Sequence, residues 1–311
     1  MKVSAIITAY NYAAFLPDAI ESVLGQTRAA DEIVVVDDGS TDDTARVVAA
    51  YAGHGVRYVY KENGGAGSAR NTGLRETSGD LVAFLDGDDR WLPDKLAWQL
   101  AHIEQNPGVG LVTGSEWQVY SSDEPPYLLR RAPVASANFY PDILVENTIG
   151  NPSLTLIRRE CFDAAGVFDE NMPLGQDWDM WIRLAMRCRV GVVEAPLIYF
   201  RRHGSSLTAN KVLERYRSNL RIQGRYIRRI SNPIRRVRLL TSAQSMNLYY
   251  TAAALADGST GKGTRLRALG MALASVLLNP AYETRNKAGL IARVAMGKAA
   301  FQKLRRLVRH E

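Results

Sequence analysis

The chain has 311 residues, 46% hydrophobic and 23% charged, with 2 cysteines; this excludes wholesale disorder, collagen and a disulfide scaffold and leaves room for one large domain or two ordinary ones. The formal charge of +7 hides an asymmetry: residues 1–200 hold 16 Lys+Arg against 28 Asp+Glu, a net −12, and residues 201–311 hold 23 against 4, a net +19. Two chemically different regions share the chain. Cys161 and Cys188, with no CxxC or Cys/His pairing, read as reduced, buried small apolar residues of a cytosolic protein rather than zinc ligands.

Residues 1–8 lack the apolar core of a signal peptide and read as a strand. The longest apolar run, 268–278, is broken by Gly270 and Ser275 and falls short of the roughly 20 residues a membrane span needs, so a soluble or peripheral protein is expected. Short β-branched runs predict strands at 3–8, 32–36, 56–60, 81–85 and 110–113, with helical patterns near 17–26, 41–51, 66–76 and 93–105, the last opening on Pro93. Repeated strand-helix-strand units imply a mostly parallel α/β sheet with helices on both faces. Ligands bind such sheets outside the carboxyl ends of the strands, and the polar clusters follow those ends: Thr8-Ala9-Tyr10-Asn11, Asp37-Asp38-Gly39-Ser40, Glu62-Asn63-Gly64-Gly65 and Asp86-Gly87-Asp88-Asp89. Residues 121–150 contain Pro125-Pro126 and no clear period, which predicts a flexible loop over that rim, of a length uncommon outside lids and substrate-binding segments. A strand at 153–157, a helix at 177–187 and a strand at 197–201 follow. From about 208 the pattern is helical.

Asp86-Gly87-Asp88-Asp89 is the sharpest cluster. Three carboxylates within four residues repel one another unless a cation sits among them, and oxygen donors suit Mg2+ or Mn2+. Such an ion would hold a diphosphate as leaving group; the alternative is a helix cap with solvated acids. Asp177-x-Asp179 has the same spacing but opens a helix. Asp37-Asp38-Gly39-Ser40-Thr41 joins acids able to bond a ribose or base to a Ser or Thr N-cap for the 41–51 helix. Gly65-x-Gly67-x-x-Arg70 lacks the third glycine of a dinucleotide fingerprint, which argues against NAD. It leaves a helix N-terminus open to an anion, with Arg70 to meet it, or a plain turn. Asp177 reads as a general base or an N-cap, Trp178 and Trp181 as core packing, and His203 as a metal ligand or a structural histidine.

In order along the chain stand Thr8-Ala9-Tyr10-Asn11, Val34-Val35-Val36-Asp37-Asp38-Gly39-Ser40 and Asn63-Gly64-Gly65 through Ala69-Arg70-Asn71-x-Gly73. Then come Phe84-Leu85-Asp86-Gly87-Asp88-Asp89-x-Trp91-Leu92-Pro93-x-Lys95-Leu96, Gly166-x-Phe168-Asp169-Glu170, Asp177-x-Asp179-x-Trp181-x-Arg183-Leu184 and Tyr199-x-Arg201-x-His203. This series resembles the family-2 inverting glycosyltransferases of bacterial type with the GT-A fold, over residues 3 to about 205. The resemblance implies a Rossmann-like sheet and a nucleotide-sugar pocket of Thr8, Tyr10, Asp38, Arg70, Asp86 and Gly87, with Asp86 near the ribose. It implies Asp88 as the main metal contact and His203 as a second, for Mn2+ or Mg2+. Asp177 would be the base that deprotonates an acceptor hydroxyl, which attacks the anomeric carbon opposite the departing nucleoside diphosphate. One departure is visible: Gln176-Asp177 stands where such enzymes usually carry Glu-Asp, keeping the base at lower local charge.

The expected domains are a transferase domain over 1–205, divided into a nucleotide-sugar-binding half (1–115) and an acceptor and catalytic half (116–205), and a basic helical region over 206–311. In the latter, Arg215, Arg217, Arg221, Arg225, Arg228, Arg229, Arg235, Arg236 and Arg238 crowd a stretch interrupted by Pro233, with Leu213, Tyr216, Leu220 and Ile227 near a common side. The helix 265–278 and the turns 301–309 repeat the mixture. A basic amphipathic surface reads as attraction to anionic lipid, about 1 kcal/mol per Lys or Arg; solvated arginines and nucleic acid are the alternatives. The expectation is a metal-dependent inverting transferase using a uridine diphosphate sugar, with a glycan or lipid-linked acceptor, peripheral on the cytosolic face of the cell membrane. Its rivals are a sugar-phosphate nucleotidyltransferase and a non-catalytic nucleotide-sugar-binding protein.

Overall fold

The computed structural model describes residues 1–119, 127–130, 139–201, 203, 211–258, 262–280 and 284–296. Its first strand, β1 (Val3–Ala9), is buried along its whole length, as a strand covered on both faces must be. The chain continues through α1 (Leu16–Leu24), β2 (Glu32–Asp37), α2 (Thr44–Ala49), β3 (Val56–Tyr60), α3 (Gly65–Glu76) and β4 (Leu81–Asp86). β1 pairs in parallel with β2 and β4, and β2 with β3. The βαβ expectation holds here. α3 presses close to the sheet: a Cβ on Gly73 would lie 2.2 Å from Ile6 Cγ2, so this position admits no side chain without repacking.

Beyond β4 the sheet is mixed. β5 (Arg90–Trp91), α4 (Lys95–Gln105), β6 (Val109–Val119), β7 (Tyr127–Arg130), β8 (Leu156–Arg158), α5 (Glu160–Ala165), α6 (Gln176–Ala185) and β9 (Arg189–Arg201) complete the first unit. Among the described residues nine strands form one sheet, ordered β3-β2-β1-β4-β8-β6-β9-β5 with β7 paired to β6. β8 runs antiparallel to β4 and β6, and β9 parallel to β6. β6 and β9 exceed the expected 110–113 and 197–201 because bulges interrupt their register near Gly114 and Ser115, which breaks the alternation that marks a strand.

Three further expectations are corrected. Residues 121–150 are not one loop: 127–130 form β7, and Phe139, Ile143 and Ile149 are buried, while 120–126 and 131–138 lie outside the described residues. Residues 152–154 form a 3-10 turn ahead of β8 instead of its start. Ser40 and Thr41 do not cap α2, which begins at Thr44. They bind Asn11 instead: Ser40 Oγ accepts from Asn11 N (2.9 Å) and Thr41 N donates to Asn11 Oδ1 (2.8 Å). Asn11 has φ 55, a left-handed conformation that asparagine tolerates.

Residues 1–143 and 147–204 form this unit; residues 144–146 and 205–311 form a second. The second contains α7 (Val212–Ile227), α8 (Pro233–Gly258), α9 (Lys262–Leu278) and α10 (Thr284–Met296). The buried residues of α7 are Ile222, Gln223, Tyr226 and Ile227; of the expected apolar side only Ile227 is among them. A small core of Ala252, Ala268, Ala272, Leu290 and Val294 joins α8, α9 and α10, and buried Lys287 ties them further by donating to Ser245 Oγ (2.7 Å) and Asn279 O (2.7 Å). Residues 301–309 lie outside the described residues.

Candidate active site

Parallel register sets Ala9, Asp37 and Tyr60 side by side and Thr8 beside Asp86, so the carboxyl ends of β1 to β4 form one rim. Asp86 Oδ1 accepts from Thr8 Oγ1 (3.2 Å) and from Arg70 NH2 (2.6 Å). Arg70 reaches this carboxylate from α3, with its guanidinium 5.6 Å from the centre of the Phe168 ring. Its Nε and NH1 are buried and bond to nothing among the described residues. Unmet buried donors cost about 1–3 kcal/mol each, and a planar fork of this kind matches an anionic ligand.

Asp88 and His203 meet from 115 positions apart, Oδ2 to Nε2 at 3.0 Å. The His203 ring lies against Phe15, centroids 4.6 Å apart, and edge-on to Tyr12 at 5.9 Å. Burial, and then the charges of Asp88 and Asp86, push the Tyr12 phenol far up, so it remains a hydrogen-bond donor toward Asp88. Asp89 is fully buried; its Oδ2 accepts from Asn151 Nδ2 and Ser153 Oγ, both at 2.7 Å, and its Oδ1 from Arg201 N at 3.2 Å. Burial, reinforced by the charges of Asp88 and Asp86, raises its pKa well above the aspartate range.

The three carboxylates are therefore held by separate partners. Asp86 is paired with Arg70, Asp89 is held by three donors, and Asp88 turns to His203. Neither Asp88 nor Asp89 caps the next helix, which starts after Asp94. One carboxylate and one imidazole fit a divalent ion that completes its shell with water and phosphate oxygens. Among the described residues no group of three acids, histidines or cysteines makes a fuller cage.

Asp38 corrects the expectation for α3. Its Oδ1 accepts from Lys61 Nζ (2.6 Å) and Gly64 N (3.0 Å), and its Oδ2 from Gly65 N (2.7 Å). The helix N-terminus, read from sequence as open to an anion or as a plain turn, holds this carboxylate. Tyr10 is exposed. Gly87 N donates to Thr8 O at 2.9 Å, and a Cβ there would stand 3.0 Å from the same oxygen, which explains a glycine at this turn.

Asp177 is the second residue of α6. Asn147 Nδ2 donates to its Oδ2 at 3.4 Å. Burial pushes its carboxyl above the usual aspartate range; the Arg70 guanidinium opposes the shift and Asp86 adds to it. Trp178 Nε1 donates to Ile143 O and Trp181 Nε1 to Gly150 O, both at 2.8 Å, so the two indoles are core residues with satisfied N–H groups. Asp179 is buried and paired with Arg183 at 2.9 Å, which makes the second Asp-x-Asp a scaffold.

Sequence reasoning passed over Tyr12, Asn147, Asn151 and Ser153. Asn71 donates to Phe168 O (2.9 Å) and Glu170 Oε1 (2.8 Å) and accepts from Phe168 N (2.9 Å), fastening the 166–170 segment to α3.

The chain superposes on S. aureus TarS 1–349 in complex with UDP-GlcNAc with a TM-score of 0.65, covering 96% of this chain and 92% of that one at 18% identity. It also matches the mannosyltransferase PcManGT from Pyrobaculum calidifontis in complex with GDP-Man and Mn2+, TM-score 0.60, covering 95% and 86% at 24% identity. The fold is GT-A. Among curated relatives, the putative teichuronic acid biosynthesis glycosyltransferase TuaG of Bacillus subtilis is 32% identical over 67% of this chain and 82% of its own length. Several Rickettsia relatives named as uncharacterized glycosyltransferases are longer, and the match spans 30% to 34% of their length. The model of glycosyl transferase family 2 matches residues 4–165, and the chain belongs to that family.

Proposed function

We propose that this chain is a metal-dependent inverting glycosyltransferase that moves a sugar from a nucleoside diphosphate sugar, uridine-based, to a hydroxyl of a glycan or lipid-linked acceptor. The observation that carries this reading is the buried Arg70 fork, two of whose nitrogens have no partner among the described residues, on the rim that also holds the Asp88–His203 pair. Thr8, Tyr10, Asp38, Arg70, Asp86 and Gly87 form the nucleotide-sugar pocket, Asp38 by holding the turn into α3. Asp88 Oδ2 and His203 Nε2 would hold Mn2+ or Mg2+, which when bound supplies positive charge against the departing diphosphate. Asp177 accepts the proton of the acceptor hydroxyl as that oxygen attacks the anomeric carbon, a role worth roughly 10² to 10⁴ in rate. A single displacement inverts the anomeric centre. The donor class is supported by the UDP-GlcNAc and GDP-Man of the structural neighbours, and a glycan acceptor by the relative named for teichuronic acid biosynthesis.

Residues 1–205 are the transferase domain in this reading, with 1–115 binding the donor and 116–205 serving acceptor and base, and 206–311 attach it to the inner face of the cell membrane. Among the described residues no helix is long and apolar enough to cross a bilayer. Ile234 (81% exposed) and Val237 (61%) stand beside exposed Arg235 and Arg238 at the start of α8, a pairing of apolar anchors with cations that suits anionic lipid.

The test is product analysis. NMR of the first-formed glycoside should show the anomeric configuration opposite to the donor's; retention would sink the single displacement, and pyrophosphate release from a nucleoside triphosphate would favour a nucleotidyltransferase. Flotation with phosphatidylserine liposomes should weaken in Ile234→Ser/Val237→Ser; tighter binding to RNA than to those liposomes would overturn the membrane assignment.

A further inference from the structure

We propose that Asn147 is a positioning residue for Asp177, presenting an amide N–H that fixes the orientation of the carboxylate. The inference rests on the reading of Asp177 as the base.

The direction of the Asn147 amide follows from its surroundings. Its Oδ1 accepts from Gly150 N at 2.9 Å. The amide oxygen and the NH2 group lie on opposite sides of one carbon, so an oxygen directed at that donor turns the NH2 the other way. There Nδ2 lies 3.3 Å from Gly150 O and 3.4 Å from Asp177 Oδ2, two acceptors. The flipped amide would set its oxygen against a carboxylate and its NH2 against an N–H, so the network selects one orientation.

The turn that carries this amide is anchored independently. Gly150 has φ 92, a conformation open to glycine and strained for other residues. Gly150 O accepts from Trp181 Nε1 at 2.8 Å, and Trp181 lies one helical turn beyond Asp177 on α6. Ile149 O accepts from Thr113 Oγ1 of β6 at 2.7 Å. The amide and the carboxylate are thus held to the same helix by separate contacts, which keeps their relative position without help from a ligand. The 3.4 Å separation is long for a hydrogen bond; catalytic hydrogen bonds in ligand-free sites are commonly long and tighten when substrate binds.

The charged groups acting on Asp177 are Arg70 from α3 and Asp86 from β4, with the backbone N–H of Trp178 also bonded to the carboxylate. An amide donor favours the ionised form. Its loss should raise the pKa of Asp177 and let the carboxylate rotate.

Asn147→Ala removes the donor without adding a charge; Asn147→Asp keeps the turn, because its carboxylate can still accept from Gly150 N, and adds a charge that by itself raises the Asp177 pKa. Carbon-13 NMR of the Asp177 carboxyl in the full chain should show its titration shifted upward by about one pH unit or more. With a nucleotide sugar turned over in the presence of Mn2+, kcat should fall roughly 10- to 100-fold and the acid limb of the pH profile should move up, with donor KM within about twofold. Asn147→Ala should show the same directions with a smaller shift. A wild-type Asp177 titration in Asn147→Ala would overturn the proposal. Full activity in Asp177→Asn would instead overturn the base assignment, and the titration would still report the contact.

Discussion

Arg70 donates to Asp86 at 2.6 Å through NH2, and its Nε and NH1 are buried without a partner among the described residues. A lysine at this position keeps the ion pair with Asp86 but loses the planar fork. Arg70→Lys should therefore fold normally and bind UDP with Mn2+ at least about tenfold more weakly, the loss of one or two charge-assisted hydrogen bonds at about 1.5–3 kcal/mol each. Calorimetry checks this; wild-type affinity would show that the free donors do not face the nucleotide.

The division of the acidic cluster separates function from stability. Asp88→Ala should leave thermal stability near wild type and raise the Mn2+ concentration for half-maximal activity at least about tenfold, and His203→Ala should do the same. Asp89→Ala strands the donors of Asn151, Ser153 and Arg201 and should cost about 2–4 kcal/mol in a denaturant melt. Equal effects of Asp88→Ala and Asp89→Ala on both measurements would contradict the division.

The proposed role of Asp177 ties the pH dependence to its burial. A base must be ionised, and a carboxyl raised above the usual value of about 3.9 stays protonated to higher pH. The limb of kcat/KM that falls toward acid should lie above about pH 4. Gln176→Glu adds a second negative charge beside it and should move that limb higher still; an unmoved limb would show that another group titrates there.

Glu32 supplies a stability test in the opposite direction. Partial burial would raise its pKa, but hydrogen bonds from Ser4 and Ser78 hydroxyls and from the Ser78 and Gly79 amides hold it at about 2. A carboxylate with a depressed folded pKa stabilises fully above its unfolded value, about 4.3, and loses that contribution as pH falls toward 2. Glu32→Gln should cost about 2 kcal/mol at pH 7, after allowance for solvent screening, and nearly nothing near pH 2. An equal cost at both pH values would contradict this account.

The first four strands and the rim they build are legible in the sequence, because β-branched runs ending in Asn, Asp and Gly have few other solutions. β6 and β9 are less so, since Gly114 and Pro196 interrupt the alternation that would have revealed their length. Spacing singles out Asp88, whereas its contact with His203, 115 residues away, is beyond any local pattern and is reached only through the resemblance carried by Tyr199-x-Arg201-x-His203. Asp38 shows the converse limit: acids at a strand end suggest a ligand, and only the position of α3 shows that both oxygens meet Lys61 and the Gly64 and Gly65 amides. Trp91 and Lys95 are scaffold within the same motif, the buried ammonium standing 4.3 Å from the indole centre and donating to Gln99 Oε1 at 2.7 Å. Asn147 was hidden because it falls in a stretch whose composition reads as loop.

The most direct test of the account is release of nucleoside diphosphate from a nucleotide sugar by the full chain with Mn2+, compared with Asp177→Asn, with UDP binding measured on both proteins. The account predicts turnover by the wild type and a loss of about 10² or more in Asp177→Asn at unchanged UDP affinity. Undiminished turnover in Asp177→Asn would contradict it.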